Sequence, residues 1–316
     1  MKIIFMGTPE FAAICLEEIL NSKHEVVGVI TVPDKPAGRG QKLAQSAVAK
    51  LAIEKNLKLL QPEKLKNPEF LEELKSLNAD AFVVVAFRIL PKEVWQIPAK
   101  GTFNLHASLL PQYRGAAPIN WAIIHGETET GVTTFMIDEK IDTGNILLKE
   151  KVEILPDDDA GILHDKLAKT GKKLIIETLN GLEKSEIQPK PQENQKELKP
   201  APKIFKEDCK IDWSEPVEKI HNKIRGLSPY PAAWTIFKKG EESKLVKIYK
   251  GHFEKGAHSN KNFGEISFEQ NIIRIQLSDG HYFIEELQPE GKKRMTAREF
   301  LNGLKDKSGW ALSEIN

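Results

Sequence analysis

Cysteines and long apolar runs are what this chain most clearly lacks. Its two cysteines, Cys15 and Cys209, stand far apart in a sequence of 316 residues, and neither has a metal-ligand spacing. This usage argues against a disulfide framework or a zinc site and favours a reducing, cytosolic setting. The apolar opening, residues 3–6, is too short for a signal peptide or a membrane span, and no later run qualifies. We therefore expect a cytoplasmic protein with no membrane contact and no bound metal.

A glycine-rich dinucleotide motif is also missing. Gly7 follows the first apolar segment, but it lacks the partners of the G-x-G-x-x-G pattern. Pro9 suits the first position of a helix, where its missing N–H is not needed. We therefore interpret this segment as a plain strand-to-helix connection, and an oxidoreductase function loses its main support.

Excess charge of one sign is absent from the chain as a whole but not from its parts. The formal net charge is +1, yet residues 1–188 carry 23 Lys and Arg against 26 Asp and Glu, whereas residues 189–316 carry 23 against 19. The second part is therefore mildly basic, at +4. Such a balance suits a polyanionic partner without proving one.

The order of predicted elements indicates two domains. Strand and helix patterns alternate through the first half, and the valine-rich apolar run 79–86 is typical of a central parallel strand. A proline-rich stretch follows, and then several short alternating strands separated by turn signals. The sequence predicts a Rossmann-like open α/β sheet in residues 1–188, a linker in 189–207, and a small OB-like β-barrel in 208–316.

Three polar side chains follow strands of the predicted sheet. The apolar run 101–105 leads to Asn104 and His106, which lie two residues apart and should point to the same face. A second strand, residues 132–137, ends in a turn that carries Asp142. Ligands bind outside the carboxyl ends of strands in such sheets, so we expect all three side chains at that edge.

The chemistry of these residues suits acyl transfer without a covalent enzyme intermediate. A neutral imidazole accepts a proton from an amine, a side-chain amide donates to a developing oxyanion, and a carboxylate orients the imidazole or a relaying water. The alternative is structural: Asn104 and His106 cap a strand, and Asp142 belongs to an ordinary turn. Spacing alone leaves both interpretations open, because Asn-X-His is a weak pattern.

Several longer motifs favour the catalytic interpretation of these three residues over the structural one. They are Phe5-Met-Gly-Thr-Pro-Glu-Phe11, Pro33-Asp-Lys-Pro-Ala-Gly-Arg-Gly40, Asn104-Leu-His-Ala-Ser-Leu-Leu-Pro111, Tyr113-Arg-Gly-Ala-Ala-Pro118 and Asp142-Thr-Gly144. Together they resemble the 10-formyltetrahydrofolate-dependent formyltransferases from the first residues to near the end of the chain. The resemblance implies that Asn104, His106 and Asp142 are the catalytic trio. It also implies 10-formyltetrahydrofolate as co-substrate and the α-amine of methionine on initiator tRNA as acceptor.

Two segments are expected to hold the folate. The first is Phe87, Arg88, Ile89 and Leu90, where the resemblance implies contacts through the backbone. This chain has Phe87-Arg88 where the family usually has Tyr-Gly, which places bulk and charge near the donor pocket. The second is Ser108, Leu109, Leu110 and Pro111, because apolar walls with a few polar groups suit a flat heteroaromatic ring.

Two basic segments are candidates for tRNA contacts. Lys35, Arg39 and Lys42 give the Pro/Gly-rich loop 33–42 a positive face, and the resemblance implies that Arg39 meets the acceptor end. Lys292, Lys293 and Arg294 precede the last predicted helix. The alternative for both segments is a solvated surface.

Two other functions compete with the main hypothesis. Formyltransferases of glycinamide ribonucleotide or amino sugars, and a folate hydrolase, share the trio but need neither the Arg39 loop nor the second domain. A non-catalytic RNA-binding adaptor needs no trio. We expect the chain to act as a monomer.

Overall fold

The computed structural model describes residues 1–37, 42–193, 197–256, 264–269, 271–304 and 306–312. The strands that precede residue 160 are β1 (Lys2–Gly7), β2 (Glu25–Ile30), β3 (Lys35–Ala37), β4 (Lys42–Ala44), β5 (Leu59–Leu60), β6 (Ala81–Val85), β7 (Thr102–His106), β8 (Glu129–Met136) and β9 (Ile146–Glu153). The helices that begin in the same part are α1 (Glu10–Leu20), α2 (Ala47–Glu54), α3 (Pro68–Ser76), α4 (Lys92–Trp95), α5 (Pro118–Ile124) and α6 (Ala160–Lys184).

Seven of the described strands form one sheet in the order β5-β2-β1-β6-β7-β8-β9. The pairs from β5 to β7 are parallel, whereas β8 runs antiparallel to both β7 and β9. Residues 81–85 are buried without interruption, as expected of a parallel strand covered on both faces. Fully buried Phe5, Phe82 and Phe103 lie on neighbouring strands and contribute to the core. The predicted open α/β sheet is confirmed.

The later elements form a second, antiparallel sheet. They are a 3₁₀ turn (Glu207–Cys209), α7 (Val217–Leu227), β10 (Ala233–Lys239), β11 (Glu242–Lys255), β12 (Ile266–Glu269), β13 (Ile272–Gln276), β14 (Gly280–Pro289), β15 (Met295–Thr296), α8 (Ala297–Asn302) and β16 (Ala311–Leu312). The order is β12-β13-β14-β11-β10-β16, and a bridge between Glu265 and Ala311 joins the two end strands. Strand β14 alternates between buried and part-exposed residues, so one face forms the interior. The predicted β-barrel is confirmed.

The chain separates into two compact units that are each discontinuous in sequence. The first comprises Met1–Pro118, Glu129–Glu153 and His164–Ala201, and the second comprises Ile119–Thr128, Ile154–Leu163 and Pro202–Asn316. In the part of the chain that the structure describes, no helix is both long and apolar enough to cross a membrane.

Candidate active site

Strand β7 ends at His106, and the ring of this residue is hydrogen-bonded to the backbone carbonyl of Tyr113 in the loop that follows. Its ring is nearly buried, and Nε2 lies 2.8 Å from the carbonyl oxygen of Tyr113. A carbonyl oxygen only accepts, so Nε2 carries the hydrogen and the neutral ring keeps its lone pair on Nδ1. The backbone of Tyr113 is left-handed, with φ of 58°, and this turn directs its carbonyl toward the ring. The protein therefore presents a histidine of defined tautomer.

The segment Ser108–Pro111 forms the buried base of this loop. Leu110 N–H donates to Thr133 Oγ1 at 3.1 Å, and that hydroxyl donates to the carbonyl of Ser108 at 2.7 Å. Lys149 Nζ donates to the carbonyl of Leu110. The side chains of Ser108, Leu110 and Pro111 are buried, and that of Leu109 is half-buried. Within the first unit, this segment is thus fastened to strands β8 and β9.

Asp142 lies close to His106 as predicted, but the strand before it runs in the opposite direction to the one predicted. Strand β8 is antiparallel to β7, and Met136 at its carboxyl end pairs with Phe103, near the start of β7. The prediction that both strands end at the same edge is therefore wrong. The loop 137–145 instead doubles back and places Asp142 Oδ2 3.8 Å from Nδ1 of His106. Antiparallel pairing was not apparent because a short apolar run has no direction.

Two local features hold Asp142 in this loop. Its backbone is left-handed, with φ of 55°, and its Oδ2 accepts the N–H of Gly115 at 3.0 Å. Gly144 follows two residues later, where a Cβ atom would lie only 1.6 Å from the carbonyl oxygen of Met136. Glycine is therefore required for the loop to return so closely over its own strand.

The 3.8 Å separation defines the relation between Asp142 and His106. It is too long for a direct hydrogen bond but short enough for an ion pair once the imidazole is protonated. A gap above 3.5 Å between polar atoms also suits a bridging water. The carboxylate is thus placed to stabilise an imidazolium without being bonded to the neutral ring.

Asn104 completes the group from the middle of β7. It is half-buried, and its Oδ1 is buried without a hydrogen-bond partner in the described structure. A buried polar atom with no partner is rare in folded proteins and calls for a functional or structural explanation. The amide is therefore placed to bind a polar group of a ligand.

The loop after β6 carries the other residues expected to hold folate. The guanidinium of Arg88 donates to the carbonyls of Pro62 and Glu63 at 2.8 and 3.0 Å, and burial lowers the pKa of this side chain. It also lies 5.3 Å from the ring of half-buried Phe87. The bulk and charge of Arg88 are thus directed toward the loop that follows β5.

Two large apolar side chains are exposed near the same loops. Ile89 is 75% exposed while its neighbour Leu90 is buried, and Ile141, beside Asp142, is 60% exposed. An ion pair of 2.8 Å joins Glu139, in the loop that carries Ile141, to Lys92, the first residue of α4, which follows the loop that carries Ile89. Exposed apolar side chains beside a polar site are typical of a ligand-binding surface.

The predicted tRNA contacts are distributed over both units. Lys35 is exposed at the start of β3, which pairs with β4, where Lys42 is the first residue. Arg39 lies outside the described residues. In the second unit, Lys292 and Lys293 are exposed, and Arg294 stacks 4.5 Å over the ring of Tyr249. Arg294 Nε also donates to Glu286 at 2.6 Å, which offsets part of its charge.

Sequence reasoning did not identify Gln192 as part of this site. Its Nε2 donates to the carbonyls of Asp142 and Gly144, both at 2.9 Å, and its Oε1 accepts from Arg114. Residues 189–197 contain only proline, polar and charged residues, so no apolar pattern indicated that Gln192 contacts the first unit. No group of three or more His, Cys, Asp or Glu side chains with the arrangement of a metal site occurs among the described residues.

The chain is similar to known proteins in sequence and in structure. A family model described as formyl transferase matches residues 1–179, and one described as formyl transferase, C-terminal domain, matches residues 203–305. Methionyl-tRNA formyltransferase of Flavobacterium johnsoniae is 52% identical over 96% of either chain, and that of Bacteroides thetaiotaomicron is 47% identical over 99% of this chain and 98% of its own. The crystal structure of an N-formyltransferase from Helicobacter canadensis, in complex with folinic acid and dTDP-3-aminofucose, has a TM-score of 0.66 at 22% identity. That alignment covers 93% of this chain and 100% of that one, so it supports the fold alone.

Proposed function

The chain belongs to the formyl transferase family, and from this premise we propose that it formylates the α-amine of methionyl initiator tRNA, with 10-formyltetrahydrofolate as donor. The observation that supports the chemistry best is the meeting of Asn104, His106 and Asp142 in one site. Two relatives of known name, aligned over nearly the whole chain, support the acceptor. The product would be formylmethionyl-tRNA for translation initiation.

His106 is the group that moves the proton in this proposal. Because Nε2–H is bonded to the Tyr113 carbonyl, Nδ1 is the nitrogen that accepts a proton from the attacking amine, directly or through a water. Asp142 lies 3.8 Å from Nδ1 and stabilises the imidazolium that results. The defined tautomer and the nearby carboxylate together make the ring a general base that can return its proton to the leaving nitrogen.

Asn104 has a different role in the proposed reaction. Its amide donates a hydrogen bond to the formyl oxygen as negative charge develops there, and the protonated His106 adds a positive charge nearby. The place of Asn104 on β7, two residues before His106 and on the same face of the strand, supports this assignment.

The residues present fit the folate. When bound, 10-formyltetrahydrofolate supplies the formyl carbon. We assign its ring contacts to the backbone of Phe87, Arg88, Ile89 and Leu90 and to exposed Ile141. The Arg88 guanidinium is held by two carbonyls, so it leaves the apolar surface of Ile89 accessible. The predicted folate contacts of Ser108, Leu109, Leu110 and Pro111 stay part of this proposal. Leu109 is the half-buried side chain of the segment, and the other three are buried.

Basic residues of both units would contact the phosphates of the tRNA. We retain Lys35, Arg39 and Lys42 at the acceptor end and Lys292, Lys293 and Arg294 on the barrel as candidate contacts. A cytoplasmic location and a monomeric state belong to the same proposal. Light scattering after size-exclusion chromatography checks the monomer.

The decisive assay measures formyl transfer from labelled 10-formyltetrahydrofolate to four acceptors: initiator Met-tRNA, elongator Met-tRNA, free methionine and a nucleotide-linked amino sugar. Label on initiator Met-tRNA above the other acceptors is the expected result. Label on the amino sugar alone would move the protein to the small-metabolite formyltransferases. Binding of tRNA without any transfer would favour a non-catalytic adaptor.

A further inference from the structure

The segment between the two matched family regions packs against the catalytic loops of the first unit. We call residues 189–193 and 197–201 the strap. Lys190 forms a two-bond bridge with Ile146, and the carbonyl of Lys199 accepts the N–H of Tyr113 at 2.7 Å. Ala201 forms a bridge with Gly115, where a Cβ atom would lie 2.3 Å from the Ala201 carbonyl oxygen. The strap therefore touches the residue that anchors His106 and the residue whose N–H holds Asp142.

We propose that Gln192 is a positioning residue of the catalytic site, which sets the place of the Asp142 carboxylate. This inference rests on the proposed function. Gln192 is half-buried between exposed Pro191 and Glu193, so it is the side chain of this stretch that turns toward the protein. No substrate contact is assigned to it.

The chemistry of glutamine matches this place in detail. One end of its amide offers two N–H donors, and these go to the carbonyls of Asp142 and Gly144 at 2.9 Å each. The other end accepts from Nη2 and Nε of Arg114 at 2.6 and 3.2 Å. Glutamate would keep the bonds from Arg114 but has no donor for the two carbonyls.

The Asp142 loop needs such a restraint because its backbone is unusual. A left-handed non-glycine residue persists only where its surroundings determine the conformation. Gln192 binds the carbonyls on both sides of Thr143, while Gly115 binds the carboxylate itself at 3.0 Å. These contacts fix the backbone and the side chain of Asp142 independently, and together they hold the carboxylate 3.8 Å from His106.

The test replaces the two donors without changing the size of the side chain. Gln192→Glu and the uncharged Gln192→Met are compared with Gln112→Glu. Gln112 also connects the strap to the loop that carries Tyr113, through the carbonyl of Glu197 and the N–H of Lys199. We expect both Gln192 variants to lower kcat by about 10- to 100-fold with KM for either substrate changed less than threefold, because small displacements of catalytic groups cost this much. Gln112→Glu should stay within about threefold of wild type.

A double-mutant cycle separates positioning from general structural support. In the Asp142→Asn background, Gln192→Met should lower kcat by no more than about twofold, since the group it positions has already been altered. An equal loss in both backgrounds, an equal loss in Gln112→Glu, or normal kcat in both Gln192 variants would overturn the inference. If the wild-type protein transfers no formyl group to Met-tRNA, it is instead the proposed function that fails.

Discussion

Replacement of Gly144 by alanine tests whether the catalytic rate depends on the close packing of the loop 137–145 against Met136 of its own strand. An added Cβ would lie 1.6 Å from the carbonyl oxygen of Met136 and 2.8 Å from its carbonyl carbon, and the ring of Phe135 would follow at 3.5 Å. The first contact is with backbone, so no side-chain rotation can relieve it. The loop itself must move.

The size of this movement follows from the contact distance. Cβ atoms essentially never approach closer than 3.0 Å, so the gap must open from 1.6 Å by about 1.4 Å. Asp142 lies two residues away and is 3.8 Å from His106, so a shift of this size alters that distance by a large fraction. A misplacement of about 1 Å can cost roughly 100-fold in rate. We expect kcat of Gly144→Ala to fall by about this factor.

The assay is steady-state formyl transfer, with thermal unfolding followed by circular dichroism. Gly303→Ala is the matched control, because its backbone has φ of −86° and its added Cβ would meet the carbonyl oxygens of Phe300 and Glu299 at an ordinary 3.5 and 3.9 Å. That variant loses the same backbone freedom in the unfolded chain without a clash. Near-normal kcat in Gly144→Ala, at the thermal midpoint of the control, would refute the assignment of Asp142.

Three further predictions concern His106, Asn104 and His221. His106→Ala should abolish formyl transfer while tRNA binding, measured by filter retention, stays near wild type; a near-normal kcat would contradict its role as base. Asn104→Ala should lower kcat by about 10²- to 10³-fold, the usual effect of losing one oxyanion donor, and an unchanged kcat would exclude that role. Burial and nearby Arg225 lower the pKa of His221 to about 4, from 6.5 in the unfolded chain. The unfolded chain therefore binds this proton first, and stability present above pH 6.5 is lost as the pH falls toward 4, by about 3 kcal/mol for this one group. His221→Phe should reduce this pH dependence in urea unfolding between pH 7 and 4.5, and an undiminished dependence would contradict the assignment.

The positions of Asn104 and His106 could be predicted from the sequence because they depend only on local strand geometry. Asn104 and His106 are two residues apart on one strand, and alternation alone puts both side chains on one face. The predicted helix and strand alternation and the later short strands also translated into the observed sheet and barrel. In these cases the hydrophobic pattern has a period that identifies the element.

The place of Asp142 depended on longer-range pairing. The apolar run 132–137 has no sign of direction, so its antiparallel pairing with β7 appeared only in the structure. The contacts of Arg88 were also apparent only in the structure. The sequence predicted its charge near the donor pocket, but its guanidinium donates to the carbonyls of Pro62 and Glu63. Backbone carbonyls carry no residue identity, and such contacts leave no trace in a sequence pattern.

The strap shows most clearly the difference between what local sequence patterns determine and what only long-range contacts determine. By itself the sequence determined the two folded regions, the proline-rich stretch between them and the residue types that acyl transfer needs, because propensity, period and side-chain chemistry are properties of short segments. Only the tertiary structure decided that Gln192 faces inward, that its amide holds the Asp142 loop, and that Tyr113 turns its carbonyl to His106. Gln192 lies 50 and 48 positions from the two residues that its amide N–H groups contact, and both these bonds and the bond to His106 use backbone carbonyls, which every residue has.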